Sequence, residues 1–217
     1  MTHENRYFIE YRLCGKLRLE LIELKKTLLR NFPEIEQFNE PILHITLIPP
    51  INQTENQKIQ REYILETIRE EFRKAKILEF KIEDYGFFDN PDKKPIFLKI
   101  EFDKKIEKIR ENIIKKLKKR VEINNQYEDE GFNPHIALGF VKNKRKAKEI
   151  IKFLKKEHPM NLKQIFDRVS ILNGNKVLWE YDIFNKITLN RKEALKHNQR
   201  LQNIRNLISL KNKNGSS

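Results

Sequence analysis

Two stretches decide how this chain reads: residues 42–48, ILHITLI, and residues 134–141, PHIALGFV. Both are short, rich in β-branched and large apolar side chains, and built for a strand. Successive side chains of a strand point to opposite faces. His44 and Thr46 therefore share one face of the first stretch, with Leu43, Ile45 and Leu47 on the other. In the second, His135, Ala137 and Gly139 share a face, with Ile136, Leu138 and Phe140 opposite. Each strand sets a histidine on one side and an apolar stripe on the other. The stripe packs beneath helices and the histidine face opens outward. Ala137 and Gly139 make that face shallow, as suits the floor of a pocket.

Working outward, the same order of elements surrounds each stretch. Residues 6–14 alternate as a strand, with Tyr7, Ile9, Tyr11 and Leu13 on one face. Residues 16–32 carry Leu17, Leu21, Leu24 and Leu28 at helical spacing, and Pro33 ends that helix. Pro49-Pro50 closes the first histidine strand. A helix over 57–75, on Ile64, Ile68 and Phe72, leads to a strand at 77–83. The pattern then restarts. A strand at 96–102 turns Ile96, Leu98, Ile100 and Phe102 inward. A helix spans 104–121 and a polar loop 124–130; the second histidine strand and a basic helix over 144–157 follow. Strands at 165–172 and 177–184 flank Asn173-Gly174, a hairpin turn signal. The two histidines lie about 90 residues apart, and so do the strands that open each set. This duplication predicts two similar lobes about a pseudo-twofold axis. Strands interleaved with helices put the fold class at α/β in the mixed, α+β sense, with antiparallel or mixed sheets. A C-terminal helix over 191–210, with Asn190 and Glu193 as its capping pair, extends the domain. Residues 211–217 read as a disordered tail. The expected division is a bilobal domain over 1–184, a helical extension over 185–210 and that tail.

Histidine is suited to acid–base work because its ordinary pKa of about 6.5 lets both protonation states coexist near neutrality. One neutral imidazole removes a proton from an attacking oxygen while a protonated one donates to a leaving oxygen. Thr46, two residues after His44, points the same way and can donate a hydrogen bond to a phosphate oxygen. A lone histidine in a strand is more often structural. Two in matching strands of a duplicated pattern favour a catalytic pair. His3, His158 and His197 lack this setting.

The chain has 217 residues and a formal charge of +14, from 45 basic and 31 acidic residues. Such a surplus favours polyanions such as RNA. Lys, Ile, Asn and Glu recur throughout, so overall compositional bias is the competing account. Residues 142–148, KNKRKAK, follow the second histidine strand directly. Lys144, Arg145 and Lys146 are candidate RNA contacts there, against the plainer reading of a solvated helix start. Phe88 is a candidate stacking surface for a base, against the plainer role of core packing. Cys14 is the single cysteine, so no internal disulfide forms. No signal-peptide pattern and no apolar run of membrane length stand out, and a cytoplasmic protein is expected. No metal-ligand motif and no glycine-rich phosphate loop is present; no metal and no cofactor is expected.

These residues resemble the two-histidine (2H) phosphoesterase superfamily, in its branch of 2′-5′ RNA ligase and RNA 2′,3′-cyclic phosphodiesterase-like proteins. That family carries His-x-Thr/Ser twice, in strands. Here the copies are His44-Ile45-Thr46 and His135-Ile136-Ala137. Residues 86–98, GFFDNPDKKPIFL, resemble the family's connection between lobes, and the likeness covers about 6–184. It implies a bilobal α/β (α+β) fold, two pseudo-symmetric lobes of mostly antiparallel sheet with outer helices around a central cleft. It also implies no metal, and hydrolysis of 2′,3′-cyclic or 2′-5′ phosphodiester bonds at RNA ends or in short oligonucleotides, with reversible 2′-5′ ligation in some members. His44 and His135 are then catalytic and Thr46 binds the substrate phosphate. The expected partners are RNA, a short oligonucleotide or a cyclic nucleotide, with no membrane, and a monomeric state. Two departures stand out. Ala137 has no hydroxyl, and Phe140 occupies a place where many relatives keep a basic residue. They leave a second reading open: a binding module that keeps the cleft with little or no turnover.

Overall fold

A computed structural model of the chain describes residues 6–37, 43–123 and 131–194. In β1 (Arg6–Arg12) the alternating Tyr7, Ile9 and Tyr11 are buried. They share one core with Leu17, Leu21, Leu24 and Leu28 of α1 (Gly15–Asn31). The order continues β2 (His44–Asn52), α2 (Gln57–Arg73), β3 (Glu79–Phe87), β4 (Lys94–Phe102), α3 (Lys104–Leu117), β5 (His135–Val141) and α4 (Lys144–Glu157). It closes with β6 (Leu162–Ile165), β7 (Arg168–Asn173), β8 (Lys176–Asp182) and β9 (Ile187–Asn190). Side chains of Asn56, Asp103 and Asn143 cap α2, α3 and α4, meeting N–H groups that the first turn of a helix leaves without partners.

Two sheets result. The first has the order β2-β1-β7-β8-β9 and the second β5-β4-β3-β6, with every pairing antiparallel. The three-strand units β2-β1-β7 and β5-β4-β3 correspond, and their third strands are exchanged. β3 follows the first histidine strand in sequence but joins the second sheet, while β7 from the second half joins the first. The segment read as one strand at 165–172 is split between the sheets. Phe166 sits at the crossing, stacked 5.0 Å from Tyr11 and 5.9 Å from Phe72. The strand β9 was not anticipated; its pairing with β8 completes the first sheet.

Both histidine strands are edge strands, and they lie against each other. Each carries a bulge at the equivalent place. Ile9 pairs with Ile48 and Glu10 with Thr46, so Leu47 is the extra residue of β2. Ile96 pairs with Gly139 and Phe97 with Ala137, so Leu138 is the extra residue of β5. A bulge resets the alternation of faces. Two expectations change as a result. Gly139 does not extend the histidine face: it is opposite the core residue Ile96, with Ile35 beside it. Phe140 turns to the histidine side instead, where the Lys93 ammonium lies 4.2 Å from its ring centre. The prolines 49 and 50 also fail to end β2, which runs on to Asn52, because an edge strand tolerates residues without an N–H donor.

Asn190 and Glu193 form the expected reciprocal cap, Asn190 Oδ1 accepting from Glu193 N and Glu193 Oε2 from Asn190 N. The polar loop at 124–130, the C-terminal helix beyond 194 and the tail lie outside the described residues. Among the described residues no helix is long and apolar enough to cross a membrane.

A Cβ on Gly139 would stand 2.7 Å from Ile35 Cγ2 and 3.0 Å from the Glu36 carbonyl oxygen. Gly139→Val should therefore lower stability by about 1–3 kcal/mol, as overpacking typically does. A denaturant midpoint unchanged from the parent would refute that account of the glycine.

Candidate active site

His44 is the first residue of β2 and lies directly opposite Arg12; Thr46 lies opposite Glu10. Both are half-buried, between the buried Ile45 and Leu47 of the other face. The His44 side chain is 18% exposed, and its Nε2 is 3.5 Å from Oε1 of Glu10, which is only 6% exposed. Glu10 begins a polar row across the sheet, continuing to Ser170 on β7 and Glu180 on β8. Glu180 accepts hydrogen bonds from Arg12 Nη2 at 2.9 Å, Ser170 Oγ at 2.8 Å and Arg168 Nη1 at 3.2 Å. Arg168 also reaches Asp167 at 3.2 Å. Burial pulls the Arg168 pKa down, but Asp167 and Glu180 outweigh it and the net shift is upward. The guanidinium stays charged. Arg12 Nη2 further donates to the Ala194 carbonyl at 3.4 Å, so the start of the C-terminal helix lies against this row.

His135 stands in different surroundings. It opens β5 and lies opposite Lys99, while Ala137 lies opposite Phe97. Its Nδ1 donates to the Asn133 carbonyl at 2.8 Å, because a carbonyl oxygen only accepts. That bond makes Nε2 the nitrogen that exchanges protons in the neutral ring. The Phe88 ring meets the imidazole edge-on at 5.0 Å and Phe97 lies 5.3 Å away. The two phenylalanines are 4.3 Å apart, tilted by 31°.

One side chain ties the two strands together. The bulge takes Leu47 out of the β1–β2 ladder, and Arg110 Nε from α3 donates to its carbonyl at 2.7 Å. The same guanidinium lies 3.5 Å from the ring centre of Phe132, the residue before Asn133. Arg110 thus braces both the bulge after His44 and the turn that orients His135.

The basic run is partly committed elsewhere. Lys144 pairs with Asp89, and its hydrogen bond holds the Asp89 carboxyl below the usual range. Lys146 pairs with Glu34 at 2.8 Å and Glu149 at 3.0 Å. Arg145 is exposed at the start of α4. The Lys144–Asp89 pair and the buried Lys94, which donates to the Asn90 and Pro91 carbonyls, fix the turn that follows Phe88. Glu10, Arg12, Arg110 and Asn133 were missed by sequence reasoning. The alternation of β1 reports only its apolar face, and no local signal reveals what covers the charged positions on the other. Among the described residues no group of three or more His, Cys, Asp or Glu is placed to hold a metal ion.

This is the architecture of a two-lobed α+β protein with one histidine leading the edge strand of each sheet, the arrangement of a 2H phosphoesterase. A sequence profile of the 2′-5′ RNA ligase superfamily matches residues 19–177, and the chain belongs to that family of phosphoesterases and ligases. No curated protein matches it in sequence. Solved structures share the fold at low identity. Usb1 of Kluyveromyces marxianus, bound to uridine monophosphate, aligns with a TM-score of 0.51 and 13% identity, covering 87% of this chain and all of that one. TT0787 of Thermus thermophilus aligns with a TM-score of 0.55 and 19% identity, covering 76% of this chain and 86% of that one. Escherichia coli LigT, complexed with ATP, aligns with a TM-score of 0.51 and 12% identity, covering 85% and 92% respectively.

Arg110→Met keeps much of the stem and removes the donor. It should cost about 1–3 kcal/mol, the penalty of a buried carbonyl left without a partner. Thermal and denaturant unfolding measure it. A variant as stable as the parent would show that Leu47 finds another donor.

Proposed function

We propose that the protein is a metal-independent phosphodiesterase that hydrolyses 2′,3′-cyclic phosphate or 2′-5′ phosphodiester bonds at RNA ends or in short oligonucleotides. The observation that carries the reading is the equivalent placement of His44 and His135. Each leads an edge strand, each is followed by the same bulge, and the two strands adjoin. One imidazole takes the proton of the attacking oxygen and the other protonates the leaving oxygen. Thr46 donates to a non-bridging phosphate oxygen. Phe88 supplies a face for a base, and Arg145 an exposed cation at the start of α4. The uridine monophosphate of the Usb1 structure and the ATP of the LigT structure agree with a nucleotide ligand for this cleft.

A non-catalytic or very slow nucleotide-binding module is the second reading. Ala137 favours it, since removing one preorganised donor costs about 10²–10³ in rate in well-studied hydrolases.

Incubation with nucleoside 2′,3′-cyclic phosphates and 2′-5′ dinucleotides in EDTA should give product. An activity abolished by chelation and restored by a divalent ion refutes the mechanism. His44→Ala and His135→Ala should each remove nearly all turnover, because an acid and a base act as a unit. Thr46→Ala should cost less. Ala137→Thr should raise the rate about tenfold or more if the phosphate sits where a second donor can reach it. Measurable nucleotide binding with no turnover in either the parent or Ala137→Thr would select the binding module.

RNA binding should be weak and should fall as salt rises. Changing Lys144, Arg145 and Lys146 together to Ala should weaken it. Because Lys144 and Lys146 already have acidic partners, Arg145→Ala alone should carry much of the loss. Binding indifferent to salt would assign the positive charge to compositional bias.

A further inference from the structure

Beside His135 the second sheet carries a group that neither the motif nor the basic run includes. Lys99 is the direct cross-strand partner of His135, and Gly86 on β3 is the partner of Phe97. Paired residues share a face, so Lys99, Phe97 and Gly86 stand on the histidine side. A Cβ on Gly86 would lie 2.9 Å from the Phe97 ring and 3.1 Å from Lys99 Cε. The missing side chain is what lets both lie down over β3. Lys99 is exposed and makes no hydrogen bond or ion pair among the described residues; its charge also reaches Glu83 and Asp84.

The direction of Lys99 decides what it serves. β4 lies between β5 and β3, so a lysine whose Cε rests over Gly86 leans away from the junction of the two histidine strands. Its ammonium is thereby turned from a phosphate held between His44 and His135 toward the neighbouring stretch of the second sheet. On the other side of the junction, Arg168, Ser170 and Glu180 are buried and bonded to one another, so that sheet offers a flanking nucleotide little free polar surface.

We propose that Lys99 and the half-buried Phe88, supported by the buried Phe97 that lies over Gly86, form a shelf for the nucleotide next to the reacting end, with Phe88 offering the face and Lys99 holding the phosphodiester. The substrate class is then an oligonucleotide with at least one internal phosphodiester, rather than a cyclic mononucleotide. This rests on the phosphodiesterase reading of the cleft.

The test compares uridine 2′,3′-cyclic phosphate with a uridine trinucleotide ending in a 2′,3′-cyclic phosphate. The parent should prefer the trinucleotide in kcat/KM. Lys99→Ala should lower that preference about fivefold, the upper range for an exposed ion pair. It should also reduce the salt dependence by about one phosphate contact, and Lys99→Arg should restore both. Gly86→Ala, which displaces the shelf and removes no charge, should lower the preference as well; circular dichroism checks that both variants fold. Equal losses on the two substrates would place Lys99 at the reacting phosphate and overturn the proposal, as would no change on either. If the parent hydrolyses neither substrate, binding of 3′-phosphorylated mono- and trinucleotides decides the shelf, and the phosphodiesterase reading falls only if 2′-5′ dinucleotides are left intact as well. Tighter trinucleotide binding that Lys99→Ala removes keeps it; equal binding of the two overturns it.

Discussion

Each histidine strand is the outermost strand of its sheet, and an open strand edge cannot be left with its backbone groups unpaired in a packed junction. The fold meets this constraint by reciprocity. The chain leaving α1 caps β5, with Glu36 N donating to Phe140 O and Phe140 N to Glu36 O, both at 2.9 Å. The chain leaving α3 caps β2, through the Ile51–Ile123 bridge and Asn52 N to Glu122 O at 3.2 Å. Each half closes the edge of the other, and the exchanged third strands β3 and β7 repeat the same logic inside the sheets. The two histidine strands are consequently held side by side from both directions, and neither lobe completes its own edge alone.

The paired bulges shape the candidate site on that scaffold. A regular strand would carry one alternating face from end to end. The extra Leu47 and Leu138 end the alternation of half-buried and buried residues, and a buried run follows each, to Ile51 in β2 and Val141 in β5. Before the bulge the histidine face holds His44 and Thr46 in β2 and His135 and Ala137 in β5; after it, Phe140 of β5 turns to that side. The cost of a bulge is a backbone group taken out of the ladder, and Arg110 answers it for β2. Because its guanidinium also lies on Phe132, the side chain that supports the bulge beyond His44 also supports the turn before His135.

Much of this was legible in sequence. The duplication, the histidine pair and the limits of α4 follow from periodicity and capping, because they depend on neighbours within a few residues. What was not legible depends on partners far along the chain. Gly139 resembles a pocket floor until the register with Ile96 is known. Glu10 and Arg12 resemble a solvated strand face until Glu180, about 170 residues on, is placed beside them. The division of 162–173 between two sheets has no local signature, since Phe166 suits a strand interior as well as a crossing. Lys144 and Lys146 read as free cations because Asp89 and Glu34 come from other parts of the chain.

The duplicated scaffold ends in an unsymmetrical site. His44 sits beside a carboxylate in a sheet whose polar row is bonded internally and lies against the start of the C-terminal helix. His135 sits among aromatic rings in a sheet whose open face carries Lys99. The difference at the motif fits this division. Thr46 pairs across the strand with Glu10, where a hydroxyl is in polar company. Ala137 pairs with Phe97, beside the rings packed around His135. The first copy of the motif thus sets its hydroxyl in a row of charged and hydroxyl groups, and the second sets a methyl group next to an aromatic cluster. The two halves share one scaffold, and the residue two places after each histidine follows the polarity of the sheet that carries it.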